Sequence, residues 1–444
     1  MATWLKKWEP EDPQFWKDTG SKIAWRTLII TTLTLVISFA TWFLMSAVVV
    51  RLPNIGFKYT QMELFWLAAM PGLAGGTLRI LHTFLVPLFG TRHIITIATL
   101  LKLFPAVGIG LAVMNPQTPF WLFMVLAFSA GLGGGDFSSY MPSTSLFFPK
   151  KLQGTALGIQ AGIGNFGVSL VQFVTPWIIT FAAFGTLVGA PQVFTKGAVT
   201  KDIWLQNASF VYVPLLIIMG IIAWIYLRSV PVRASFKEQL DIFKNKHTWF
   251  CTITYVMTFG SFSGFSAAFA LMIKSLYGGF ADAPDPLKFA FLGPLIGSAM
   301  RVATGPITDK IGGAVLTSLS GVIMLASGLA MIFSGVLAPT SLSQFPLFVT
   351  LMLIIFFASG IGNAATFRQY PIIFAKSPRQ GAGVLGWTGA VAAYGPFVWS
   401  TLIGATITST GSPIPFFWGI AVFYLVATVI NWYYYQRKGA EAPS

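Results

Sequence analysis

Twelve nearly uncharged stretches, each long enough to cross a bilayer, constrain this chain more than any other feature. They fall near residues 25–50, 61–89, 93–114, 119–147, 153–184, 208–228, 248–273, 287–308, 313–337, 346–374, 381–408 and 414–435. About 20 apolar residues cross the ~30 Å hydrocarbon core as a helix, and a helix satisfies its own backbone where no water can. Composition excludes an ordinary soluble domain: 55% of the 444 residues are hydrophobic, 9% are charged and the mean hydropathy is +0.73. The expected fold class is an all-α membrane protein of twelve transmembrane helices.

The net charge of +15 suggests nucleic acid until its distribution is followed. Of the 28 Lys and Arg, eighteen fall on the side of the amino terminus, among them Lys6, Lys7, Arg92, Lys151, Arg228, Lys244 and Lys376, and six fall on the other. That bias orients a membrane protein with its basic loops inside, so both termini are expected to be cytoplasmic in a multi-pass protein of the cell (inner) membrane. Nucleic-acid binding would need a basic face on a folded soluble module, and no nucleic-acid partner is expected. The first stretch, between Arg26 and Arg51, is too long for a signal-peptide core and is expected to be retained.

Four cations lie inside the spans, Arg79, Lys102, Arg301 and Arg368, against one carboxylate, Asp136. A cation at the centre of a membrane helix costs about 2.5–3.5 kcal/mol on insertion scales. This balance favours a negatively charged passenger. Arg79 and Arg301 stand at matching places, Pro71-Gly72-Leu73-Ala74-Gly75-Gly76-Thr77-Leu78-Arg79 against Gly293-Pro294-Leu295-Ile296-Gly297-Ser298-Ala299-Met300-Arg301. Gly131 to Gly154 in the fourth and fifth spans likewise echo Gly360 to Gly381 in the tenth and eleventh. Two pseudo-symmetric six-helix bundles follow, as in carriers built from repeats. The expected division is an N-terminal segment 1–24, a bundle 25–228, a cytoplasmic linker 229–247, a second bundle 248–435 and a tail 436–444.

Gly154, Gly158 and Gly162 recur every four residues and leave a bare stripe on the fifth span, with a looser version at Gly381, Gly383, Gly386 and Gly389 in the eleventh. Such stripes permit close backbone approach, either as static packing or as faces on which helices tilt. Gly162 to Gly167 also spells the dinucleotide fingerprint, but within an apolar helix and without the strand that chemistry needs. No metal-spaced His/Cys cluster occurs, and Cys251 leaves no partner for a disulfide. Neither an enzyme nor a cofactor or metal site is expected.

On these residues the chain resembles the nitrate/nitrite porter family of the major facilitator superfamily, from Trp8-Glu9-Pro10-Glu11-Asp12-Pro13 to the last span. Its marks are the two arginine helices, Gly154 to Asn165, Phe259 to Ser266, and Thr308 to Gly313. The resemblance implies the major facilitator fold, with Arg79 and Arg301 holding the substrate. It also implies that Asn165 donates a hydrogen bond, that Phe137 and Phe259 flank a flat anion, and that Tyr255 lies in the same cavity. Gly305-Pro306-Ile307-Thr308-Asp309-Lys310 resembles the superfamily's gate motif, whose first-half counterpart has Pro87 where an aspartate would stand. A guanidinium is planar and always charged, and its fork of donors fits a trigonal oxyanion better than an ammonium does.

Asp136 and Lys102 depart from the family pattern, where a neutral asparagine would stand beside the phenylalanine. Counted from the helix ends they lie at roughly 18 and 14 Å depth, close enough for an ion pair between neighbouring helices. The alternative is proton uptake by Asp136, which a nearby lysine opposes. Arg368 is read as snorkelling to the interface, and Trp25, Trp204 and Tyr433 to Tyr435 as interfacial anchors. Two arginines about 7 Å apart repel by roughly 2.4 kcal/mol in an effective dielectric near 20, which an anion cancels. The resulting expectation is a monomeric secondary transporter of nitrate exchanging it for nitrite. The alternatives are proton/nitrate symport, a carrier of another small anion, and a transporter-like anion sensor.

Overall fold

The apolar stretches become helices whose ends follow capping chemistry rather than hydropathy. The computed structural model describes residues 4–231 and 237–444, with the side chains of residues 84, 87, 150, 153, 154, 186, 237–239, 309, 378, 379 and 382 outside the description. Eleven helices among the described residues are long and apolar enough to cross a membrane: Pro13–Trp42, Gln61–Thr83, Thr91–Ala112, Phe120–Phe147, Thr155–Ile178, Asn207–Tyr226, Lys246–Tyr277, Gly313–Phe333, Leu342–Ile373, Gly383–Thr410 and Ile414–Gln436. The helix Leu292–Ile311, led in by the single turn Leu287–Ala290, makes the twelfth. Its charged residues dilute its hydropathy, yet its 20 residues still reach about 30 Å. In chain order it is the eighth span.

Two boundaries differ from the hydropathy reading. The first helix begins at Pro13 rather than near 25, because Asp12 Oδ1 accepts from the backbone N–H groups of Gln14 (2.8 Å) and Phe15 (3.3 Å) and Pro13 sits in the first turn. Residues 13–24 are therefore helical. The fifth helix ends at Ile178 rather than 184. There the Trp204 N–H donates to Ile179 O (2.8 Å) and Asn207 Nδ2 donates to Phe181 O (2.8 Å), taking carbonyls a longer helix would have used. The following residues form an antiparallel hairpin, Gln192–Lys196 paired with Val199–Ile203.

The repeat is visible at the junctions. The second and third spans meet at Gly90 (φ 80, ψ 156), and the eighth and ninth meet at Gly312 (φ 100, ψ 144). Only glycine adopts that backbone readily. Leu5 N donates to Ser229 O (2.9 Å) and Lys246 Nζ to Glu441 Oε2 (2.8 Å), so both ends of the chain lie beside the central linker on one face, here the terminal face.

Between the two six-helix halves, the second span packs on the eleventh and the fifth on the eighth. A Cβ at Gly72 would lie 2.5 Å from the backbone nitrogen of Phe397, so glycine is required at that crossing, and one at Gly162 would press on Val302 Cγ2 at 2.6 Å. The fifth-span stripe is divided: Gly162 meets Val302 of the eighth span, while Gly158 has nothing within 4 Å among the described residues; Gly164 and Gly167, off the stripe, face the first span. Buried hydroxyls close on their own helix, Thr27, Thr31 and Thr34 each donating to the carbonyl four residues back. Tyr435 is not an interfacial anchor, because its ring is buried and its hydroxyl bonds His247 Nδ1 at 3.0 Å.

Candidate functional site

Several spans lose regular helical geometry where polar residues cluster. The fourth is interrupted at Gly131 and again at Asp136, the third at Lys102, and the seventh carries a π-turn at Val256–Gly260. Such local defects re-aim side chains and expose carbonyls. Arg79 uses one of them. Its Nε donates to Gly134 O at 2.8 Å, and its Nη1 donates across the halves to Gly389 O at 2.7 Å. A Cβ on Gly134 would lie 2.5 Å from Trp42 Cε2, so only glycine lets that carbonyl approach.

The Arg79 guanidinium is fully buried among aromatic faces, with ring centroids at 4.7 Å (Phe137), 5.1 Å (Trp42), 5.3 Å (Phe259) and 5.8 Å (Phe39). Cation–π attraction offsets part of the desolvation of a buried charge. Arg301 projects from the eighth span with Phe367 at 4.7 Å and the same Phe259 ring at 6.0 Å, and its Nη2 donates to Tyr255 Oη at 3.5 Å. Tyr255 and Phe259 are stacked at 5.5 Å. Both arginines thus address one ring, which caps the separation of their guanidinium carbons at the sum of the two distances.

What is left unspent defines the chemistry. Among the described residues, Arg79 Nη2, Arg301 Nη1, and both amide atoms of Asn165 and of Asn363 are buried without a hydrogen-bond partner. Leaving such groups bare costs about 1–3 kcal/mol each, more when charged. Asn165 is three residues from Gly162, on the face that meets Val302 beside Arg301. Asn363 is four residues before Phe367, on the face that meets Arg301. Positive and neutral donors with aromatic walls suit a small flat oxyanion.

Lys102 and Asp136 are each fully buried and form an ion pair in which Lys102 Nζ donates to Asp136 Oδ2. Ser38 Oγ (2.7 Å) and Tyr140 Oη (3.3 Å) donate to the same oxygen. The pair sits in the third and fourth spans, two residues from the carbonyl that holds Arg79. The gate motif is not brought to this site. Gly305 and Lys310 lie four and nine residues beyond Arg301, about 6 and 14 Å along the helix, Lys310 is exposed, and the Asp309 side chain lies outside the described residues. Arg368 is exposed on the tenth span.

A family model described as Major Facilitator Superfamily matches residues 29–371. The chain is 60% identical to the probable nitrate/nitrite antiporter NarK2 of Thermus thermophilus over all of this chain and 98% of that protein. The chain belongs to the nitrate/nitrite porter family of the major facilitator superfamily. The porter is also 37% identical to the nitrate/nitrite transporter NarU of Escherichia coli (strain K12), covering 98% of this chain and 96% of that one. A solved bacterial homologue of the human lysosomal transporter Spinster, in an inward-facing and occupied conformation, matches the porter with a TM-score of 0.62. At 14% identity, over 92% of this chain and 96% of that one, this likeness concerns the fold alone.

Asn363, Phe367, Trp42 and the Gly389 carbonyl do not emerge from sequence reasoning. A signal for Asn363 was present: Gly162-Ile163-Gly164-Asn165 and Gly360-Ile361-Gly362-Asn363 are the same tetrapeptide, once in each half. Nothing comparable marks the others, which are one aromatic among 68 Phe, Trp and Tyr or a backbone atom.

Proposed function

We propose that this porter exchanges nitrate for nitrite by alternating access, with the anion held between Arg79 and Arg301. The observation that carries this reading is one unspent guanidinium nitrogen from each half, both arginines facing the Phe259 ring. An oxyanion there would accept from Arg79 Nη2 and Arg301 Nη1, with Asn165 and Asn363 completing its hydrogen bonds and Tyr255 steadying Arg301. Phe137 and Phe259 would exclude a tetrahedral ion by shape. The names of the two relatives, both nitrate/nitrite carriers and one an antiporter, support the same passenger.

Like charges from opposite halves resist closure when the site is empty, and an anion between them removes that resistance. The empty carrier therefore stalls and the loaded one turns over, which is exchange. The lobes 25–228 and 248–435 would move about the linker 229–247, with Gly305, Asp309 and Lys310 acting at the gate on the terminal face. The positive-inside bias supports a cytoplasmic terminal face in the inner membrane. The residues proposed for the site all come from one chain, so a monomer suffices.

In proteoliposomes, labelled nitrate should enter rapidly when the interior holds nitrate or nitrite, and slowly when it holds neither. Formate, chloride and a monocarboxylate inside should support much less exchange. Rapid entry into anion-free vesicles without a proton gradient would overturn the reading. Proton symport through Asp136 is the second reading, motivated by its buried Oδ1, which has no partner among the described residues. The Lys102, Ser38 and Tyr140 donors on Oδ2 support a structural role instead. Asp136→Asn should leave the pH dependence of uptake unchanged; loss of that dependence would install the symport reading.

A further inference from the structure

On the face opposite the termini, a cavity of about 370 Å³ opens between the hairpin, the end of the fifth span and the approach to the eighth. Its lining includes Arg51, Lys196, Lys201 and Lys288 against one carboxylate, Asp285. Arg51 is 7% exposed and its Nη2 holds both oxygens of Asp285, at 2.8 and 2.7 Å, while its Nε is buried with no partner among the described residues. The Phe194 ring forms a floor, with the Arg51 guanidinium 5.7 Å and the Lys201 ammonium 5.6 Å from its centroid.

The cavity is held by contacts between the halves. Lys196 Nζ donates to Ala283 O at 2.8 Å, and the ion-paired Arg51 and Asp285 belong to different halves. Lys274 Nζ adds a bond from the seventh span to Asn54 Oδ1 (3.0 Å) and another to Val50 O. These bonds tie the halves together on this face. The central arginines therefore do not explain a concentration of positive charge here, nor does the hairpin need it for its own pairing.

We propose that this cavity is a second, peripheral anion site, which collects nitrate or nitrite from the far side before the halves part. A cleft lined by one sign of charge focuses the field and raises the local concentration of the opposite ion, accelerating capture by roughly 10- to 1,000-fold in favourable cases. An oxyanion in the cavity would take the unspent Arg51 Nε and the exposed Lys201 and Lys288 ammonium groups. It would also compete with Asp285 for Arg51, so that capture loosens one of the bonds tying the halves. The proposal rests on nitrate and nitrite being the passengers.

The test uses the full-length porter oriented in proteoliposomes, with Lys201→Gln and Lys288→Gln combined so that the Arg51–Asp285 and Lys196–Ala283 contacts stay intact. At low ionic strength the half-saturating nitrate concentration on the far side should rise about three- to tenfold, because the field that collects the anion is weakened. The terminal-side value should be unchanged. The difference should shrink at 1 M salt, where the screening length is about 3 Å, and Lys201→Arg with Lys288→Arg should restore the unsubstituted behaviour. An unchanged far-side value at low ionic strength overturns the proposal. So does a shift equal on both sides, or one seen only in vesicles containing anionic lipid, which would assign the cavity to a headgroup. If the passenger assignment itself were wrong, the unsubstituted porter would show no saturable nitrate exchange on either side.

Discussion

Arg79 spends two donors on carbonyls, one in each half of the molecule, and is enclosed by four aromatic rings, whereas Arg301 makes one long bond to a tyrosine and meets two rings. The two residues hold matching places in the repeat. One is a fixed post that already bridges the halves; the other is an arm with little to hold it until an anion arrives. Pseudo-symmetry of sequence therefore coexists with a division of labour, because only the first half supplies the glycine-broken helix that offers a carbonyl to its arginine.

The sharpest way to break this comparison is Arg79→Lys against Arg301→Lys. A lysine at 79 cannot reproduce two directed bonds, each worth about 1.5–3 kcal/mol when charged, so exchange should fall at least about 100-fold and the thermal midpoint should drop. Arg301→Lys should cost exchange about ten- to 100-fold and leave the midpoint nearly unchanged, since it removes little that exists without the anion. Equal losses of stability would end the distinction between post and arm.

Asn165→Ala and Asn363→Ala sharpen it from the substrate side. Each should raise the half-saturating nitrate concentration about tenfold, the worth of roughly 1.4 kcal/mol, with little change in folding because neither amide has a partner to lose among the described residues. A silent Asn363→Ala would show that the second Gly-Ile-Gly-Asn is packing alone. Smaller still is Tyr255→Phe, expected to cost severalfold in affinity by freeing Arg301. In an Arg301→Lys background its effect should vanish, and persistence there would place the hydroxyl on the anion instead.

The weakest contrast lies far from the site. Glu441 accepts from Lys246 at 2.8 Å, and that ammonium holds its carboxyl below the usual carboxylate range. Because folding lowers this pKa, the contact contributes above the ordinary value of 4.5 and is lost as pH falls through the folded-state value. Glu441→Gln should lower the thermal midpoint slightly at neutral pH, with the difference closing in acid and no change in exchange. A loss of exchange would tie the tail to transport.

Span number, orientation bias and the two arginines were legible in the chain because each carries a one-dimensional signature: hydropathy length, loop charge and a cation where none is cheap. The early end of the fifth helix was not legible because Ile179 to Phe181 continue the apolar pattern, and only Trp204 and Asn207, returning from beyond, take the carbonyls past Ile178. Arg79's partners were hidden for a related reason. A carbonyl has no letter, and Gly134 and Gly389 become acceptors only when a broken fourth span and a cross-lobe contact carry them there.

The sequence by itself therefore determined that this is a twelve-span carrier with a basic interior, since burial cost and bilayer thickness act on local composition. Which arginine is anchored, which amides stay unspent, and where Lys102 finds Asp136 were decided only by tertiary structure. Hydrogen bonds of 2.7–2.8 Å, such as those of Arg79, depend on the approach of segments 55 and 310 residues apart, and no local pattern encodes that approach.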